Sequence, residues 1–168
     1  MRPVFLLLIL ACLTLGGYGF EPLYGETGGG AAVTDELANI QIGPIPDRLG
    51  RVVRNGLLDR INPYGEPGSP AYRLDVAVIS VKEGYGFRAD EAITRENLRL
   101  EGHFVLTDLS SGKVVLEDEV RSSMAYDIVQ SDFATFSAER DAERRTAEAV
   151  VNDIHRRLGF YFRKDATE

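Results

Sequence analysis

Ala147, Val150, Val151, Ile154, Leu158 and Tyr161 recur at i, i+3, i+4, i+7, i+11 and i+14. On a helix of 3.6 residues per turn they form one continuous apolar stripe. A helix of this kind has to bury its stripe, and each large apolar member contributes roughly 1.5–3 kcal/mol on burial, before entropy costs. The matching surface is written upstream as alternation. Tyr72, Leu74, Val76 and Val78 interleave with Arg73, Asp75 and Ala77, and Leu98, Leu100, Phe104 and Leu106 with Arg99, Glu101, His103 and Thr107. Val114, Leu116 and Val120 follow, against Glu117, Glu119 and Arg121. A period of two places one set on a buried sheet face and the other on a wet one. Ser110-Ser111-Gly112-Lys113 is a tight hairpin turn between the last two strands. Asp118 interrupts the inward set, which points to a bulge or a strand end near it.

Two further elements complete the pattern. Leu37 to Ile45 reads as a first strand, stopped by Pro44 and Pro46. Asp47 is then the expected N-cap of a helix through about Ile61, with Leu49, Val52, Val53, Leu57 and Ile61 on one face. Gly50 and Gly56 each weaken that helix by about 1 kcal/mol relative to alanine. Asn62 to Pro70 is a Pro/Gly break. Ser137 serves as the expected N-cap of the last helix, with Glu139 and Asp141 in its first turn. The predicted order is β-α-β-β-β-α: an α/β (α+β) two-layer sandwich whose four-stranded mixed sheet carries two helices on one face. The crossover out of the first strand is expected to be right-handed.

The N-terminus has another character. Met1-Arg2 precedes an unbroken apolar run from Val4 to Leu15 and then Gly-Gly-Tyr-Gly-Phe. That is an export signal over residues 1–19, too short to span a bilayer as a helix. A Gly-rich tether is expected over 20–36, a single domain over 37–163 and a tail over 164–168. The lone cysteine, Cys12, lies inside the signal, so the exported domain has no disulfide framework and no thiolate metal site. The formal charge of −7 disfavours nucleic acid and unaided adsorption to an anionic membrane.

No constellation for catalysis or metal binding emerges. His103 falls on the wet side of a strand and His155 on the polar side of the last helix, neither with a second ligand at a useful spacing. No Gly-x-Ser-x-Gly is present, and alternate acids such as Glu117 and Glu119 read as a solvated strand face. Gly28-Gly29-Gly30 lacks the flanking strand and the Lys-Ser/Thr of a phosphate loop. No enzyme, cofactor or metal is expected.

Two stretches carry a family resemblance. Gly19-Phe20-Glu21-Pro22-Leu23-Tyr24-Gly25, and Tyr126-Asp127-Ile128-Val129-Gln130-Ser131-Asp132-Phe133-Ala134 running into Ser137–Ala147, resemble the lipopolysaccharide-assembly lipoproteins of Gram-negative outer membranes, the LptE family, in their alphaproteobacterial form. The element order matches over essentially the whole chain. The resemblance implies a non-enzymatic subunit on the periplasmic side of the outer membrane. It would plug a large β-barrel partner (LptD-like) and help deliver lipopolysaccharide to the outer leaflet. The alternative is a free-standing periplasmic lipoprotein that binds a small or lipidic ligand.

The family places a cysteine where this chain has Tyr18. Three maturation routes stay open: lipidation at Cys12 after Ile9-Leu10-Ala11, cleavage near Gly17–Gly19 without a lipid, or retention of the segment. A polyanionic lipid needs local cations, which makes Lys82, Arg88 and Arg95, around a long Glu83–Glu96 connection, and Lys113 at the hairpin the contact candidates. Glu83, Asp90, Glu91 and Glu96 nearly balance the first three. Tyr126, Ile128, Phe133 and Phe136, apolar without clean periodicity, are the partner-interface candidates. Their other reading is a connection whose aromatics cover the sheet edge.

Overall fold

A computed structural model describes residues 30–87 and 93–165 of the chain. In order, the elements are α1 (Gly30–Ala38), β1 (Ile40–Ile42), α2 (Asp47–Ile61), β2 (Tyr72–Phe87), β3 (Ile93–Asp108), β4 (Val114–Asp127) and α3 (Asp132–Asp165). The strands form one mixed sheet in the order β1-β2-β3-β4. β1 runs parallel to β2 through Ile40↔Tyr72, Gln41↔Arg73 and Ile42↔Leu74, and the other two ladders are antiparallel. The expected α+β class, mixed sheet and strand–helix order are therefore present.

The even-numbered residues of the long strands face the helices. Leu74, Leu100, Phe104 and Leu106 are fully buried there, against Val53 and Leu57 of α2 and Val150, Ile154 and Leu158 of α3. The opposite face is wet and laced with ion pairs, among them Arg73–Asp75, Arg99–Glu83 and Arg121 with both Glu101 and Glu119. The predicted stripe of α3 is buried from Ala147 to Leu158, but beyond it the helix turns in Phe162, leaving Tyr161 half-buried. Phe162 meets the Tyr72 ring edge-on at 5.1 Å, so the last turn of α3 closes over the start of β2.

Several boundaries differ from the sequence expectation. Residues 30–36 of the expected tether are helical, and Val33 and Leu37 of α1 sit in the core beside α3. This third helix shortens the first strand from Leu37–Ile45 to Ile40–Ile42. Asn62 secures α1 by donating from its side-chain amide to the Ala38 carbonyl at 3.1 Å. Asp47 does not cap α2: the cap position is Pro46, without a side-chain bond, and Asp47 is the first helical residue at φ 67. Aspartate tolerates this left-handed conformation better than most side chains.

The Glu83–Glu96 connection is largely strand. Ladder pairs run on through Tyr85↔Arg95 to Phe87↔Ile93, so β2 and β3 form a hairpin whose arms are each roughly 50 Å long. α3 begins five residues before Ser137. Its cap is Ser131, whose Oγ accepts from the Ala134 N–H at 3.4 Å, while the Ser137 hydroxyl donates back to the Phe133 carbonyl at 2.8 Å. Near Asp118 the β3–β4 register does shift, between Leu106 and Thr107 opposite Val114–Leu116. Asp118 itself stays in the ladder opposite Phe104, and its carboxylate reaches Arg157 of α3. The inward acid therefore clamps helix to sheet at the rim of the core.

Candidate partner surface

At the far end of the long hairpin the sheet outruns α2, and a second small core forms under the first half of α3. Leu98, Tyr126 and Ala142 make it, with Met124, Ile128 and Ala138 packed around them. Tyr126 is 6% exposed, and its hydroxyl donates to the Glu96 carboxylate. Burial raises the phenol pKa well above its ordinary value, and the adjacent Glu96 charge adds to the rise. Ile128 is half-buried, and its N–H donates to the Thr94 carbonyl at 2.9 Å. Two of the four partner candidates, Tyr126 and Ile128, thus support this corner from within.

The other two are its surface. Phe133 is 81% exposed and Phe136 51%, one turn apart at the start of α3, with Val129 beside them at 44%. The Arg140 guanidinium lies 4.7 Å from the Phe136 ring centroid, a cation–π contact. The preceding segment is pinned, because the Thr135 hydroxyl accepts from the Val129 N–H at 3.1 Å and donates to its carbonyl at 3.2 Å. With the Ser131 cap, these bonds fix the aromatic ledge before any partner arrives. An exposed ring on a fixed backbone loses little entropy on docking.

The cationic candidates do not converge. Lys82, on the helix side of β2, pairs with Glu139 of α3. Arg95, on the wet face, pairs with Asp127 at 3.3 Å. Lys113 sits at the opposite end of the sheet, beside the Asp108 turn. From Tyr72, which pairs Asp108, to Lys82 is ten residues along β2, roughly 33 Å. Arg88 and Cys12 lie outside the described residues. Lys113 follows a left-handed Gly112 (φ 67), and Asp108 is held below the ordinary carboxylate range by bonds from the Ser110 hydroxyl and the Ser111 and Ser110 amides.

A shallow cleft of about 320 Å³ lies between the first turn of α2 and β2, lined by Arg48, Ser80, Lys82 and Glu143 among others. Its charged walls are already matched, Arg48 to the buried Glu143 and Lys82 to Glu139. Sequence reasoning missed this network. The i,i+4 spacing of Glu139 and Glu143 puts both acids on one side of α3, but only the fold brings Arg48 and Lys82 opposite them. Such an arrangement holds α2, β2 and α3 together and offers no proton donor and acceptor poised around a shared space. Among the described residues no three metal-binding side chains gather, and no helix is long and apolar enough to cross a membrane.

The two histidines lie apart. His103 is on the wet face, 3.1 Å from Glu117. His155 is half-buried, and its pKa is lowered by burial first and by the Arg60 charge second. The unfolded chain therefore binds the His155 proton more readily. The contribution is fully present above the ordinary value of 6.5 and is lost as pH falls through the depressed folded value. Between about pH 7.5 and about pH 5, the thermal midpoint should fall less in His155→Gln than in the parent chain. Parallel pH profiles from calorimetry would show the proton going elsewhere.

Residues 37–158 match the model of the family described as LptE, lipopolysaccharide-assembly. No curated protein gives a match. Among solved structures, a protein of Caulobacter crescentus CB15 described as a lipoprotein is 24% identical, with 79% of this chain and 96% of that chain covered at a TM-score of 0.65. Lipoprotein B of Nitrosomonas europaea is 13% identical, with 71% and 81% covered and a TM-score of 0.56. A minor lipoprotein of Acinetobacter baumannii is 15% identical, with 71% and 91% covered and a TM-score of 0.52. At these identities the likeness is one of fold.

Proposed function

Since this chain belongs to the LptE family of lipopolysaccharide-assembly proteins, we propose that it is a non-enzymatic subunit that sits in and plugs a large outer-membrane β-barrel and helps insert lipopolysaccharide into the outer leaflet. The observation that carries the barrel contact is the aromatic ledge. Two exposed phenylalanines on a capped and pinned helix start, 81% and 51% accessible, leave apolar ring surface in water. That is the profile of anchors that fill a recess on another protein.

Lipopolysaccharide contact falls to Lys82, Arg95 and Lys113, with Arg88. The first two are surface pairs, worth at most about 1 kcal/mol, so a polyanion can take over the cation without a large penalty. Localisation is the periplasmic side of the outer membrane, held by the barrel and by any acyl group on Cys12.

The test is an affinity pull-down from detergent-solubilised membranes, with mass spectrometry on bait and prey. The parent chain is expected to bring down a stoichiometric barrel. Phe133→Ala/Phe136→Ala should reduce recovery by roughly 10-fold or more, since two aromatic anchors at about 2 kcal/mol each are removed, while thermal stability stays within about 0.5 kcal/mol of the parent. Recovery of the bait alone would sink the barrel reading and favour a free lipoprotein. Undiminished recovery by the double variant would move the contact off this ledge.

A further inference from the structure

β4 carries β3 on one side and, among the described residues, no strand on the other. Alternate backbone N–H and C=O groups along Val114–Asp127 therefore face outward over 14 residues. Edges of this length are usually blunted by lysine, proline, an inward-pointing charge or a bulge. β4 contains neither lysine nor proline, its inward acid Asp118 is taken up by Arg157 of α3, and its bulge is confined to the start, leaving Leu116–Asp127 regular.

The charges along this edge select a partner. In a symmetric antiparallel pairing with the helices of both copies on one face, each register is centred on one residue meeting its own counterpart. Centring on Glu117, Asp118, Glu119 or Arg121 sets that charge against itself. Centring on Ser122 sets Glu117 against Asp127, and centring on Ser123 sets Glu119 against Asp127. Among the registers that join at least seven residues of Leu116–Asp127, only those centred on Val120 and Met124 leave no like-charge pair, and the Met124 register joins just residues 121–127.

The Val120 register joins nine residues, Leu116 to Met124. It places Glu119 opposite Arg121 of the second copy twice over, Asp118 opposite Ser122, and Leu116 opposite Met124. Leu116 and Met124 are both only half-buried in the single copy, so pairing would cover apolar surface the monomer leaves partly wet. Glu119 and Arg121 have side chains 41% and 65% exposed on the open sheet face, within reach of a neighbour.

We propose that β4 is a self-association edge, joining two copies into one eight-stranded sheet with Val120 on the two-fold axis and reciprocal Glu119–Arg121 pairs on either side. Self-pairing needs no barrel, so it is tested on the purified full-length chain alone and is independent of the pull-down.

Sedimentation equilibrium in mild detergent, from about 1 to about 100 μM, should show twice the 18.5 kDa chain mass at the upper end. Glu119→Arg and Arg121→Glu should each weaken the dimer by about 10-fold or more, because two attractive cross-strand pairs become repulsive. Mixed together they should recover it, since every cross-strand charge is then opposed by its opposite. That recovery also separates a lost contact from misfolding, as two misfolded chains would not rescue each other. A parent chain that stays monomeric throughout, single variants that dimerise as well as the parent, or a mixture that fails to recover would each overturn the proposal.

Discussion

Phe104→Ala is expected to lower the unfolding free energy by about 3–5 kcal/mol, the usual cost of removing a buried aromatic ring. Phe104 is fully buried at the middle of β3, between Val76 of β2 and Asp118 of β4, and belongs to the cluster that joins sheet, α2 and α3. Its neighbours are held by two ladders and by helices that cannot close inward independently, so the cavity would persist and the loss should lie toward the upper end. A domain of this size is stable by about 5–15 kcal/mol, which leaves the variant close to the threshold. Urea unfolding followed by circular dichroism measures it: the midpoint should drop while the slope is retained. A loss below about 1.5 kcal/mol would mean that the layers relax over the gap and that the core is less tightly closed at Phe104 than its burial indicates.

The periodic elements were legible because burial imposes the period. The even residues of β2 and β3, Val53, Leu57 and Ile61 of α2, and Ala147 to Leu158 of α3 could be read off the chain, since each must point one way. Where function or connection overrides burial, the signal fades. Residues Glu83–Glu96 look like a loop because Gly84, Gly86 and the mixed charges carry no alternation, yet backbone pairing between the two arms keeps 83–87 and 93–96 in strand. The start of α3 was misplaced because Ser131 and Ser137 are equally good caps in sequence. The exposed Phe133 and Phe136 gave that first turn no apolar stripe to mark it. Asp118 read as a defect because its partner, Arg157, is 39 residues away.

The partner candidates split for a related reason. Composition marks 126–136 as unusually aromatic, but only the fold tells Tyr126, turned in to Glu96, from Phe133, turned out. The cationic candidates follow from charge and from their places beside two connections, and neither gives the distance that separates Lys113 from Lys82 and Arg95 along the sheet.

The glycines show most plainly what a single chain conceals. Gly56 reads as a weakness in α2, yet a Cβ there would meet Val151 Cγ2 of α3 at 3.1 Å, so its absence lets the two helices cross closely. Gly102 carries a larger expected effect. It lies on the helix-facing side of β3, paired with Val78 and Val120, and a Cβ would sit 3.1 Å from Val150 Cγ1 and 3.2 Å from Val120 Cγ2. A strand ordinarily gains from exchanging glycine for a β-branched residue. Here the branch would have to push α3 off the sheet beneath fully buried Val150 and Ile154.

Overpacking should win: Gly102→Val is expected to lose about 1–3 kcal/mol, despite the better strand propensity. The cause is testable through coupling. Val150→Ala alone opens a cavity and destabilises, but it also empties the space the new side chain needs. In the Gly102→Val/Val150→Ala double variant the two losses should therefore fall short of additivity by at least about 0.5 kcal/mol. A Gly102→Val chain as stable as the parent, or losses that simply add, would show that α3 rides over β3 with room to spare.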